Sequence, residues 1–165
     1  MPPVNLMDYS GKDTVLDVIR KESSDFFNIV FYPAFHVMDY GVHTWDIRYG
    51  LGEKTRELDE RTAGVLVPFM LYAPLPSTVD AQSAKGVDVQ FGIEVSGEWG
   101  GKWQATVKDS KFEVKPETGN FEGCDAIFSY DPSDFVLTSF QHFTGGSARG
   151  DFEVINKVRN LFFRI

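Results

Sequence analysis

The sequence predicts an α+β fold: a short N-terminal helical part packed on an antiparallel sheet that is covered by helices on one face. Three observations carry this. Apolar residues before Ala73 recur at helical spacing, Val87 to Val95 alternate with a period of two, and helical spacing returns after Ser133. The break falls in Ala73-Pro74-Leu75-Pro76-Ser77, which reads as a linker. It divides the 165 residues into a helical half-bundle over 1–76 and an α+β domain over 77–165.

Asp13 or Thr14 caps the first expected helix, which carries Val15, Val18, Ile19, Phe26 and Ile29 and stops at Tyr32-Pro33. The second runs from about Phe35 to Tyr49, with Phe35, Met38, Val42, Trp45 and Tyr49 as one apolar stripe. Gly50 and Gly52 end it. Asp59 caps a third helix whose inner face is Ala63, Leu66, Val67 and Met70, and Pro68 should kink or shorten it.

In the second part, Val87, Val89, Phe91, Ile93 and Val95 face one way and Asp88, Gln90, Gly92 and Glu94 the other. Trp103, Ala105 and Val107 repeat the pattern, and Asp109-Ser110 turns the chain into Phe112 and Val114. Asp125 to Tyr130 is a further strand. Ser133 or Asp134 caps a helix bearing Val136, Leu137, Phe140 and Phe143, which Gly145-Gly146 breaks. Ser147 to Gly150 is extended. Asp151 caps a last helix with Phe152, Ile155, Val158 and Phe162 on one face.

Charge excludes some partners. The chain has 16 Lys plus Arg against 24 Asp plus Glu, a net charge of -8. Binding phosphate backbones or anionic membranes needs a basic face, so nucleic acid is excluded as a partner. The longest uncharged apolar run, Ala63 to Pro76, is too short to span a bilayer, so no stable membrane insertion is expected. Cys124 is the lone cysteine, which fits a reducing cytoplasm. It has no nearby base, so a structural role is expected rather than a nucleophilic one.

Two constellations carry chemistry. His36, Asp39 and His43 fall on one helical stripe, and Asp39 and His43, one turn apart, can share a divalent metal such as zinc. His36 is two turns from His43 and is the weaker donor. A third ligand must come from elsewhere, and only His142 remains among the histidines. Plain surface or hydrogen-bonded residues are the alternative. Asp46 is expected to hold a backbone amide or Arg48.

The second constellation is aromatic. Fifteen Phe, six Tyr and three Trp must largely be core, yet a small sheet facing aromatic-rich helices can enclose an apolar cavity. Phe91, Trp103, Phe128, Phe140 and Phe162 are its candidate lining, and a filled core is the alternative. The Gly145–Gly150 loop with Arg149 is either a carboxylate-binding corner or a plain loop.

Asp39-Tyr40-Gly41-Val42-His43-Thr44-Trp45-Asp46-Ile47, followed by Gly52, resembles the signature of the mycothiol-dependent maleylpyruvate isomerase family. There a helix carries Glu-x-x-x-His, then Trp-Asp and an apolar residue. The stretch from Cys124-Asp125-Ala126 through Gly150-Asp151 to Leu161-Phe162 is similar to that family's sterol-carrier-protein-like second domain. The resemblance implies metal ligands at Asp39 and His43, with Asp39 one methylene shorter than the family's Glu, and an apolar ligand tunnel in the second domain. It also implies two earlier helices and a further histidine ligand, for which this chain starts too late. A homodimer would cover the faces so exposed and rebuild a four-helix layer.

The reading that follows is a degenerate, non-catalytic member that binds an apolar small molecule or lipid. The alternative is a metal-dependent, thiol-coupled isomerase or transferase with its metal at Asp39 and His43.

Overall fold

The computed structural model describes residues 26–53, 57–142 and 144–162. The helix expected from Asp13, with Val15, Val18 and Ile19, lies outside them, as does Phe143. The chain divides into two units between His36 and Val37.

Helix α1, Phe26–Gly50, passes through Pro33, where the sequence predicts a stop. Proline removes one backbone donor, but the turns before and after it are helical. From Val37 onward, α1 buries Val42 and Trp45, while Tyr49, expected on the same apolar stripe, is exposed and stacks on Trp45 at 4.9 Å. Helix α2, Glu60–Tyr72, begins at Asp59, as its sequence predicts. The Asp59 carboxylate accepts from the Thr62 backbone N–H at 3.0 Å and from its hydroxyl at 3.1 Å. These bonds hold the carboxyl below its usual range. Ala63, Leu66, Val67 and Met70 are fully buried, and Pro68 sits on the exposed side without ending the helix. The expected linker is instead a single helical turn, α3, Pro74–Ser77, with proline at its start.

The sheet has five strands: β1 Asp88–Val95, β2 Gly101–Lys108, β3 Lys111–Pro116, β4 Ala126–Tyr130 and β5 Ser147–Gly150. Their order is β3-β2-β1-β4-β5. The α+β class stands, but the sheet is mixed rather than wholly antiparallel, because β4 runs parallel to β1. The connection from β3 explains this. Residues 117–125 cross the outer face of the sheet: Gln104 Nε2 donates to the Glu122 carbonyl at 3.3 Å, and the Asp125 N–H donates to the Gln90 carbonyl at 3.1 Å. The crossing carries the chain past β2 and β1 before β4 starts. The Phe121 ring lies over Gly92, where a Cβ would come within 2.5 Å of it. Between β2 and β3, Asp109 and Ser110 both take positive φ, the backbone of a tight twisted hairpin.

Helix α4, Pro132–Ser139, is capped by Asp131, whose carboxylate accepts from the Asp134 N–H at 2.7 Å. This corrects the expected caps. Pro132 occupies the first helical position and fixes the start two residues before the earlier of the two expected. Ser133 is buried and accepts instead from the Leu58 N–H at 2.8 Å. Helix α5, Phe152–Arg159, starts at Asp151, whose side chain accepts from the Glu153 and Val154 N–H groups. It buries Ile155 and Val158, but Phe152 is 75% exposed, contrary to the expected inner face. Val79 bridges to Phe162, and the Asp80 N–H donates to the Leu161 carbonyl at 2.8 Å, so the segment after α3 closes one end of the molecule.

Candidate functional site

Alternation along β1 and β4 sends Phe91, Ile93 and Phe128 to the inner face of the sheet. β3 adds Phe112, α4 adds Phe135, and the chain after α5 adds Phe162. Together they form the apolar wall of a cavity of about 490 Å³. Phe91 meets Phe128 edge-on at 5.7 Å, and Phe112 meets Phe162 edge-on at 5.7 Å. Edge-on contact is a preferred packing of aromatic rings. Leu75 and Val158 complete the apolar lining. The volume lies within the range of small-molecule sites, roughly 300–1,000 Å³.

The mouth is polar and largely satisfied internally. Thr138 Oγ1 accepts from the Gly145 N–H at 2.9 Å, Ser139 donates to the Phe135 carbonyl at 2.7 Å, and Gln141 Nε2 donates to the Phe162 carbonyl at 2.8 Å. The last bond ties the loop after α4 to the C-terminal segment. Gly146 has φ +70°, and any Cβ there would strike the Tyr130 ring. Tyr130 also lines the cavity, and burial pushes its hydroxyl up to about 12, against the opposing pull of the Arg159 charge. Arg159, also on the lining, is exposed in the last turn of α5.

The predicted lining divides. Phe91, Phe128 and Phe162 border the cavity. Trp103 and Phe140 are buried in the surrounding core without bordering it. Arg149 is on the opposite face of the sheet, paired across strands with Ile127. There it donates to Ser129 Oγ at 3.1 Å and meets Glu94 Oε2 at 3.4 Å. Ile93, Tyr130, Phe135 and Arg159 were missed. Strand parity signals the first two, being two residues from Phe91 and Phe128. Arg159 lies four residues beyond Ile155 on the same helical face.

On α1 the helical spacing acts as expected: His43 Nε2 is 3.4 Å from Asp39 Oδ1. His43 Nδ1 is 3.4 Å from Asp46 Oδ2, and Asp46 Oδ1 meets His142 Nδ1 at 2.7 Å. Asp46 therefore holds His142 instead of Arg48, which pairs with Glu53 at 2.6 Å. Trp45 packs edge-on to the His142 ring at 5.7 Å. Its Nε1 is buried without a hydrogen-bond partner among the described residues. Asp39 and His43 supply two donors, and Asp46 is engaged by His142. Among the described residues no three His, Cys, Asp or Glu side chains converge as a metal would require. Among the described residues this donor set falls short of the three-ligand zinc centre that the isomerase resemblance implies. His36 is exposed and belongs to the other unit. Cys124 is half-buried beside Gln104 Nε2 at 3.6 Å.

No family model and no curated protein matches the chain. Solved structures do. The chain is similar to the stereoselective inverting sec-alkylsulfatase Pisa1 from Pseudomonas sp., with TM-score 0.52 and 14% identity over 61% of this chain and 17% of that one. The shared fold is sterol-carrier-protein-like. A double mutant of the same sulfatase matches with TM-score 0.51 and 14% identity, over 62% and 17%. A UbiJ-SCP2 ubiquinone synthesis protein matches with TM-score 0.37 and 15% identity, over 62% of this chain and 86% of that one, a likeness too slight to argue from. This chain thus spans about a sixth of the sulfatase's length, and the likeness concerns the fold alone. Among the described residues, no helix is long and apolar enough to cross a membrane.

Proposed function

We propose that this chain binds an apolar small molecule or lipid in the cavity between the sheet and α5, without transforming it. The observation that carries this reading is the space of about 490 Å³ walled by Phe91, Phe112, Phe128, Phe135 and Phe162. Its described lining contains no His, Cys, Asp or Glu, and the Ser139 hydroxyl is committed to a backbone carbonyl. A nucleophile needs an adjacent base, and this lining offers none. The isomerase resemblance supports the same reading, as a degenerate member of that superfamily with the binding fold retained. Among the described residues the metal-dependent alternative rests on two adjacent donors, Asp39 and His43.

Titration calorimetry with straight-chain alkan-1-ols tests the proposal. Burial of a methylene is worth about 0.8 kcal/mol, or roughly fourfold in Kd. Affinity should rise by up to that factor per carbon and level off when the cavity is full. Ser139→Trp, which places an indole in the space, should abolish binding. Alkanols that fail to bind, or that bind Ser139→Trp equally well, contradict the proposal.

A further inference from the structure

We infer that the ligand is a single-chain amphiphile with an anionic head, and that Arg159 at the cavity mouth holds that head. This rests on the cavity being the binding site. Among the described lining residues Arg159 is the one that carries a formal charge at neutral pH.

Three basic side chains are matched: Arg48 with Glu53, Lys108 with Asp88, Arg149 with Glu94. Among the described residues Arg159 makes no ion pair and no hydrogen bond. The last turn of α5 favours a cation, but Lys157 in the same turn already serves that end and lies away from the cavity. Asp134, the acid near the mouth, does not line the cavity, and its carboxylate accepts from the Gly146 N–H at 2.9 Å.

The same lining includes the exposed Thr144 and Ser147, for whose side chains no internal hydrogen bond is seen among the described residues. A guanidinium suits an oxyanion, because its planar fork can donate two parallel bonds. The aromatic wall behind it suits an alkyl chain. An alkylammonium would instead bring like charge against Arg159.

The experiment compares dodecanoate, dodecan-1-ol and dodecyltrimethylammonium, each below its micelle concentration, on the wild type and on Arg159→Gln. Hydrogen bonds to charged groups are worth about 1.5–3 kcal/mol, so dodecanoate should bind the wild type at least about tenfold tighter than dodecan-1-ol. Arg159→Gln should erase that advantage, weakening dodecanoate far more than dodecan-1-ol. Arg159→Lys should restore part of it, and added salt should weaken dodecanoate selectively. Equal binding of dodecanoate and dodecan-1-ol overturns the head-group inference while the cavity reading stands. Dodecanoate affinity unchanged in Arg159→Gln overturns it likewise. Failure of all three probes overturns both.

Discussion

The two faces of the sheet are built from the same strands and do opposite things. On the inner face Phe91, Ile93 and Phe128 are buried and border a cavity. On the outer face their neighbours Gln90, Glu94 and Ser129 are half-exposed, and the crossing segment 117–125 lays Phe121 over Gly92. Arg149 and Arg159, ten residues apart, show the difference most sharply. The first ends on the outer face in a pair with Glu94, the second at the cavity mouth with no partner among the described residues. Residue type does not decide whether an arginine lines the cavity or pairs on the outer face. The face does, and a single step of strand parity or a turn of helix sets the face.

That contrast can be broken by substitution. The largest effect is expected at Phe128→Ala, which should lower unfolding free energy by about 3–5 kcal/mol in urea titrations. Ser129→Ala, one residue on but on the other face, should change it by less than about 1 kcal/mol. Similar costs at the two positions would remove the distinction between the faces.

Next comes Tyr130, half-buried at the inner face with its hydroxyl pushed up to about 12 from 10.0. Between those pH values the unfolded chain has lost the proton and the folded chain has kept it. Stability due to this group is therefore complete below about pH 10 and disappears as pH rises to about 12. The loss is at most about 2–3 kcal/mol, because each pH unit between the folded and unfolded values is worth about 1.4 kcal/mol. Urea titrations of the wild type against Tyr130→Phe isolate it, since the variant should lack this part of the alkaline decline.

Gly92→Ala sharpens the account of the outer face. Its Cβ would press on the Phe121 ring, and a loss of about 1–3 kcal/mol is expected. Phe121→Ala in the same chain should recover part of that loss, and a double-mutant cycle measures the coupling. The smallest effect belongs to Arg149→Gln. Its pair with Glu94 is long and solvent-exposed, so stability should change by less than about 1 kcal/mol. Dodecanoate affinity should not change at all, in contrast to Arg159→Gln.

Local signals were legible in the amino-acid order, and long-range ones were not. The alternation from Val87 to Val95 gave β1 its faces, and the spacing of Asp39 and His43 brought those side chains together on one turn. Asp59 and Asp151 were readable as caps because each precedes an apolar helical run. Asp131 was obscured by the cap-forming residues Ser133 and Asp134, although Pro132 at the first helical position was the better signal. The parallel pairing of β4 with β1 depends on the route of residues 117–125 across the outer face, which no short-range pattern encodes. Asp46 and His142 are far apart in the chain, so their contact followed from packing alone. Arg149 drew notice through its glycine-rich surroundings. Arg159, on an ordinary helix, needed the cavity to give it meaning.

The most direct measurement is a crystal structure of the protein soaked with a bromine-tipped dodecanol, read at the bromine absorption edge. The account predicts one anomalous peak between the inner face of the sheet and α5, in van der Waals contact with Phe91, Phe128 or Phe162. A peak only in the open groove beside the exposed Phe152, or phenyl rings that fill the space and leave no bromine there, would contradict it.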